Sequence, residues 1–184
     1  KILSFEGEIY YNSLLEDIVI KNGKISQVKI NGKLIGTDIL VLAIGHSARD
    51  TFKMLVKNNL NLVSKPFAVG VRIIHPQDMI NENQYPINYP FLPPASYKLT
   101  YKSKSGRGIY SFCMCPGGYV VNAKSENDGI CVNGMSNYKR DTKYANSAIV
   151  VTVGPNDYGV NILDGMYFQE MIEKRAYKIC DGLI

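Results

Sequence analysis

Residues 38–45, "DILVLAIG", constrain this chain more than any other stretch. Residues 39–44 are apolar without interruption, so no alternation marks one face as wet. Such continuity demands cover on both faces, as in the middle of a parallel sheet. The run stops at Gly45, and the polar "HSARD" follows. Ser47 or Asp50 is suited to cap a helix there, with Phe52, Leu55 and Val56 as its apolar face and Asn58-Asn59 as its end. The segment therefore predicts an interior strand, a tight turn and a helix.

Residues 1–36 predict short antiparallel strands. "GEIYY", "LEDIVI" and "ISQVKI" are the strand segments, and the pairs Asn22-Gly23 and Asn31-Gly32 are the turns. Asn-Gly between alternating runs is a strong hairpin signal, because both central residues of the turn take positive φ. Downstream, "PFAVGVRIIH", "SYKLTYKS", "GIYSFCMC", "YVVNAKSE", "ICVNGMS" and "SAIVVTVG" read as further strands. Pro116-Gly117 and the "NDG" at 127–129 read as the turns between the middle ones. Residues 85–95, rich in Tyr and Pro, are expected to be irregular, since proline cannot donate to a ladder. Residues 164–181 carry Phe168, Met171, Ile172, Ala176 and Ile179 at helical spacing, with Asp164 as the expected cap.

A length of 184 residues allows one domain or one and a fraction. Apolar content of 46% and charged content of 20% suit a globular protein and exclude a disordered one. The formal charge is +5. Its densest patch, Lys98, Lys102, Lys104 and Arg107, reads as a solvated strand-and-turn face, and no nucleic-acid partner is expected. No apolar run is long enough to cross a bilayer, so no membrane partner is expected either. No secretion signal opens the chain, and its start at Lys1 suggests a piece of a longer protein. Cys113, Cys115, Cys131 and Cys180 are too sparse for a disulfide scaffold, so free thiols in a reducing cytoplasm are expected.

The hairpins "LEDIVIKNGKISQVKI" followed by "TDILVLAIG" resemble the later part of a flavoprotein FAD domain. With "AIGHSARDTF", "KPFAVGVRIIHPQDMIN", "YSFCMCPGGYVV", "NGMS" and "ANSAIVVTV", the chain resembles the uncharacterised FAD-dependent dehydrogenases of the NAD(P)/FAD-dependent oxidoreductase type, from about residue 6 onward. That resemblance implies FAD as cofactor in the full-length protein, with NAD(P) as a second candidate. The glycine-rich G-x-G-x-x-G turn and the C-terminal FAD segment of such proteins are absent here. "VNGMS" and "PGGYV" sit between strands and do not replace them. The resemblance thus implies a central fragment whose partners are the missing N- and C-terminal portions of the FAD domain. The fragment alone is expected to bind FAD weakly or not at all and to be inactive.

The same resemblance places the loop after residues 38–45 beside the cofactor. Gly45 permits close backbone approach. His46 and Ser47, with Arg49, offer donors to phosphate or ribose; a plain strand-to-helix turn is the competing explanation. Cys113 and Cys115, two apart on a strand, are expected on one face. A redox pair or half a metal site competes there with an inert buried stripe. No metal is assigned, because four-ligand spacing is lacking. Asn133, Ser136, Asn137, Arg140, Asn146 and Ser147 cluster in "NGMSNYKRDTKYANS", where amides and hydroxyls suit a pocket for a polar small-molecule substrate. Backbone reasons for a turn rich in Asn and Ser explain the cluster too. Arg72 is either an anion binder or half of an ion pair, and His75, three residues on, points to the opposite face. Arg72, Cys113, Cys115, Asn133, Ser136, Asn146 and Ser147 stand as the substrate-side candidates.

The fold class expected is α+β and β-rich, a small hairpin meander plus a mainly antiparallel sheet with a few flanking helices. Residues 1–65 are read as part of a discontinuous FAD-binding domain and residues 66–184 as an inserted substrate domain. The function expected is that of a central fragment of an FAD-dependent oxidoreductase whose substrate the sequence does not name. A β-rich binding or interaction module without redox activity is the alternative, and a thiol-redox or metal module is a third.

Overall fold

The computed structural model describes residues 1–85 and 91–183. The chain divides into two compact units, Lys1–Leu62 and Val63–Ile184. It is α+β, strand-rich and antiparallel throughout its ladders, as the sequence leads one to expect. Among the described residues no helix is long and apolar enough to cross a membrane.

In the first unit three strands, β1 (Leu15–Lys21), β2 (Lys24–Ile30) and β3 (Lys33–Gly36), form an antiparallel meander. Both expected turns are present. Asn22 and Gly23 have φ of 52° and 74°, and Asn31 and Gly32 have φ of 47° and 80°. Two consecutive positive φ values match the right-handed twist of the flanking strands, and asparagine and glycine are the residues that reach them most easily. The register set by the turns puts Ile18 opposite Val28. Both are buried and pack against Met54 and Leu55 of helix α1 (Arg49–Lys57). Burying each such side chain contributes about 1.5–3 kcal/mol. Asn58 ends the helix and ties it to β1, its Nδ2 donating to Asp17 Oδ1 at 2.7 Å and to the Met54 carbonyl at 3.0 Å.

Three expectations for this unit need correction. "GEIYY" is not a strand; Tyr10 and Tyr11 are exposed and have no ladder partner. Neither Ser47 nor Asp50 caps α1; the N-cap is Ala48, with no side-chain hydrogen bond. Residues 38–45 form no ladder, and Ile39 and Val41 are 80% and 82% exposed. Of this segment only Leu40 packs against the Ile18–Leu55 core. The apolar pattern states what the segment needs, two covering layers, and the described residues of its own unit do not provide them.

In the second unit β4 (Phe67–Pro76), β9 (Tyr144–Val153), β6 (Gly108–Cys115) and β5 (Thr100–Lys102) form one sheet in that order. β4 and β9 pair without a break from Phe67↔Val153 to Pro76↔Tyr144. A separate two-stranded ribbon joins β7 (Gly118–Asn122) to β8 (Val132–Ser136). Pro116-Gly117 is therefore not a hairpin turn, because β6 and β7 belong to different sheets. It is a corner, with Gly117 at φ 49° and its N–H donating to Oε1 of the buried Gln77 at 2.8 Å. Gln77 opens helix α2 (Gln77–Gln84), which the polar sequence did not announce, and its Nε2 also holds the Ala95 carbonyl. Of the Tyr/Pro-rich stretch, residues 86–90 lie outside the described residues, and Tyr85 and 91–95 are in no helix or strand.

The short helix α3 (Pro155–Tyr158) and helix α4 (Asp164–Ile179) follow β9. Phe67, Tyr158 and Phe168 stack together, with Phe67 and Tyr158 centroids 5.2 Å apart. Asp164 is the first residue of α4 rather than its cap, and its carboxylate accepts the Asn161 N–H. Arg107 clamps the end of the sheet, donating to Asp157 at 2.6 Å and to the Thr152 carbonyl at 2.8 Å.

Candidate functional site

The candidate site lies on one face of the β4–β9–β6 sheet. Strand pairing places Arg72 opposite Ala148 and Ile74 opposite Asn146, so Arg72 and Asn146 are diagonal neighbours on that face. Arg72 Nη1 donates to Asn146 Oδ1 at 2.7 Å. Asn146 is fully buried, and its Nδ2 has no hydrogen-bond partner among the described residues.

The end of β6 supplies the second acceptor. Its register jumps between Phe112↔Ala148 and Cys115↔Asn146, a bulge in which Cys113 takes φ 45°. Holding a non-glycine residue there costs on the order of 1–3 kcal/mol. The bulge turns the Cys113 carbonyl toward Arg72 Nη1, at 3.1 Å, and toward the Cys115 thiol, at 3.3 Å. It also cancels the two-residue alternation by which Cys113 and Cys115 were expected to share a face. Cys113 is exposed, Cys115 is half-buried, and no disulfide joins any of the four cysteines.

β8 closes the cluster from above. A Cβ on Gly134 would lie 2.3 Å from Arg72 Nη1, 2.3 Å from Asn146 Oδ1 and 2.8 Å from Cys115 Sγ. Only glycine lets the strand pass over the guanidinium. The preceding residue, Asn133, is exposed, and its Oδ1 accepts the Gly134 N–H at 2.8 Å and stands 3.5 Å from Arg72 Nη2. Sequence reading did not single out Gly134. The available signal was a lone glycine inside a strand pattern, which often marks close backbone approach.

Arg72 is half-buried, and no carboxylate among the described residues lies within ion-pair distance of it. Of the two explanations open for Arg72, the ion pair is thereby removed for the described residues.

The other candidates fall elsewhere. Ser147 lies on the opposite face of β9, its hydroxyl donating to the Phe112 and Ala148 carbonyls. Ser136 donates to the Pro116 carbonyl at 2.7 Å and fixes the corner. His75 shares the Ser147 face, as three-residue spacing on a strand requires, and its Nε2 meets Tyr97 Oη at 2.8 Å. Asn137 and Arg140 close their own turn, the Asn137 side chain accepting the Arg140 N–H at 2.6 Å. Gly45, His46 and Ser47 belong to the unit Lys1–Leu62. There Gly45 has φ 67° with open space where a Cβ would be, and Ser47 Oγ lies 3.2 Å from the imidazole Nε2 of His46.

By architecture this is a two-unit α+β protein whose second unit, an antiparallel sheet with a ribbon and flanking helices, carries a guanidinium cradled by neutral acceptors. Residues 66–183 match the family described as FAD-dependent protein, C-terminal domain-like, and the chain belongs to that family. An uncharacterised protein of Clostridium beijerinckii is similar to it, with 53% identity over 180 residues. The match covers 96% of this chain and 34% of that relative, so the chain spans about a third of the relative's length.

Proposed function

We propose that the chain is the central portion of an FAD-dependent oxidoreductase of the dehydrogenase type. The observation that carries this reading is the family match over residues 66–183, whose description names FAD dependence. The greater length of the Clostridium relative supports a larger parent protein. So does the uncovered apolar run at 38–45: as an interior strand of a completed FAD-binding domain it would gain both covering layers. In this reading residues 1–65 belong to that domain and residues 66–184 are the inserted substrate domain.

The residues present suit the cofactor. Gly45 holds a left-handed conformation with nothing within 4 Å of its Cβ position, which leaves its backbone approachable. His46 and Ser47 beside it offer hydrogen bonds to phosphate or ribose. FAD when bound would supply the hydride chemistry. The chain's own groups would orient a small-molecule substrate, with Arg72, Asn133, Asn146 and the Cys113–Cys115 bulge on that side. NAD(P) is the electron partner to test first. Four cysteines outside any disulfide agree with a reducing, cytoplasmic setting.

The test is to purify the full-length protein and this chain in parallel. Flavin absorbance is expected with the full-length protein and not with the isolated chain, followed by bleaching on anaerobic addition of NADH or NADPH. A colourless full-length protein removes the reading. It would leave a β-rich binding module without redox activity, which the assembly of the whole Arg72 cluster from within Val63–Ile184 favours as the second reading.

A further inference from the structure

We infer that the Arg72 cluster is a binding site for one carboxylate group, so that the ligand of this domain is a small organic acid. This deepens the reading of the cluster as the substrate side and rests on it.

The guanidinium's donors are unequally spent. Nη1 serves Asn146 Oδ1 at 2.7 Å and the Cys113 carbonyl at 3.1 Å. Among the described residues Nη2 has only a 3.5 Å contact, to an Asn133 oxygen that already accepts the Gly134 N–H. Among the described residues the Nε–Nη2 edge is left over. Two parallel N–H donors along one edge of a guanidinium match the two oxygens of a carboxylate.

Three features of the fold then hold the guanidinium in place at some expense. Asn146 is buried completely to accept from it, and its own Nδ2 is left without a partner among the described residues. Cys113 is held at φ 45° so that its carbonyl turns inward. Position 134 is kept free of any side chain. A fixed, half-buried cation without a counter-charge is unfavourable, since buried charges are ordinarily paired. A ligand anion removes that deficit.

Charge selects the class of anion. Arg72 is the one basic residue among Arg72, Cys113, Cys115, Asn133, Gly134 and Asn146, none of which is Asp or Glu, and a single carboxylate balances it. A phosphate monoester carries about −1.5 to −2 at neutral pH and would stay undercompensated.

The experiment uses the isotope-labelled chain and follows the Arg72 Nε–H and the Asn133 and Asn146 carboxamide resonances. Acetate, inorganic phosphate and chloride are titrated at matched ionic strength. Acetate is expected to shift the Arg72 Nε–H saturably, with phosphate binding about tenfold more weakly because its second charge is unmatched, and chloride giving no saturable shift. Asn133→Asp places a carboxylate at the 3.5 Å contact and should fill the site from within. Acetate affinity is then expected to fall about tenfold while the backbone spectrum is retained. Arg72→Lys keeps the charge and loses the planar fork, and should weaken acetate about fivefold or more. The inference is overturned by an absent acetate response in the folded chain, by a response that chloride reproduces, by phosphate binding more tightly than acetate, or by acetate affinity unchanged in Asn133→Asp. A colourless full-length protein with an intact acetate response removes the flavin reading and leaves a carboxylate site. A flavin-containing protein with no acetate response does the reverse.

Discussion

At the scale of single residues, Gly134 and Cys113 decide whether Arg72 can be where it is. Gly134 has no space for a Cβ: the nearest atoms would be 2.3 Å away, and two of the three belong to the guanidinium and the carboxamide that holds it. Gly134→Ala is therefore expected to destabilise the second unit by about 1–3 kcal/mol through overpacking. Urea denaturation would read this, and the Arg72 Nε–H resonance should move with it. Cys113 is the opposite case, a side chain where the backbone favours none. Cys113→Gly relieves about 1–3 kcal/mol of strain. It also loosens the unfolded chain by roughly 0.4–1 kcal/mol. A net gain near 1 kcal/mol is the expected result of the same denaturation measurement. Neither residue could be weighed this way from sequence. The glycine was visible inside a strand pattern, but what lay beneath it was not. The Cys-x-Cys spacing suggested a shared face, and the bulge removed it.

At the scale of elements, local chemistry was legible and long-range pairing was not. The two Asn-Gly turns are set by φ preferences of adjacent residues, so their positions followed from sequence alone. β4, β9 and α4 were visible from the length and period of their apolar patterns. α2 went unseen because it is polar and short, and its place is set by Gln77 bonding to Ala95 and Gly117, distant in sequence. Two acidic residues now tie elements together. The Asp17 carboxyl is held below the ordinary carboxylate pKa, chiefly by the Asn58 amide and then by the Ile18 N–H. Asp157 is lowered chiefly by Arg107 and then by the Gly154 N–H. A carboxyl with a folded pKa below its unfolded value, about 3.9, stabilises the fold above that value and ceases to do so as pH falls through the folded pKa. Melting temperature is therefore expected to be level above about pH 5 and to decline below about pH 4. Asp157→Asn should flatten that decline, and a pH series of thermal melts checks it.

At the scale of the whole molecule, residues 38–45 carry the sharpest test. Val41 is 82% exposed and Ile39 80%, so Ile39→Asp with Val41→Lys should change the stability of the isolated chain by no more than about 0.5 kcal/mol per site. In the full-length protein the same pair would put charges inside a sheet covered on both sides, and flavin incorporation should be lost. Denaturation of the chain and flavin absorbance of the full-length variant read the two halves of this prediction. Equal flavin content in variant and wild type would show that the segment is not an interior strand.

The amino-acid sequence by itself determined the α+β class, the hairpin meander, the main strands and the terminal helix, because each depends on φ preferences and periodicities within a few residues. It also supported the FAD-dependent family to which residues 66–183 belong. Tertiary structure alone decided the strand order β4-β9-β6-β5, the corner at Gly117 and the meeting of Arg72, Cys113, Gly134 and Asn146. These residues are brought together by strand register and by a ribbon folded over a sheet, and no local pattern encodes a contact between positions so far apart along the chain.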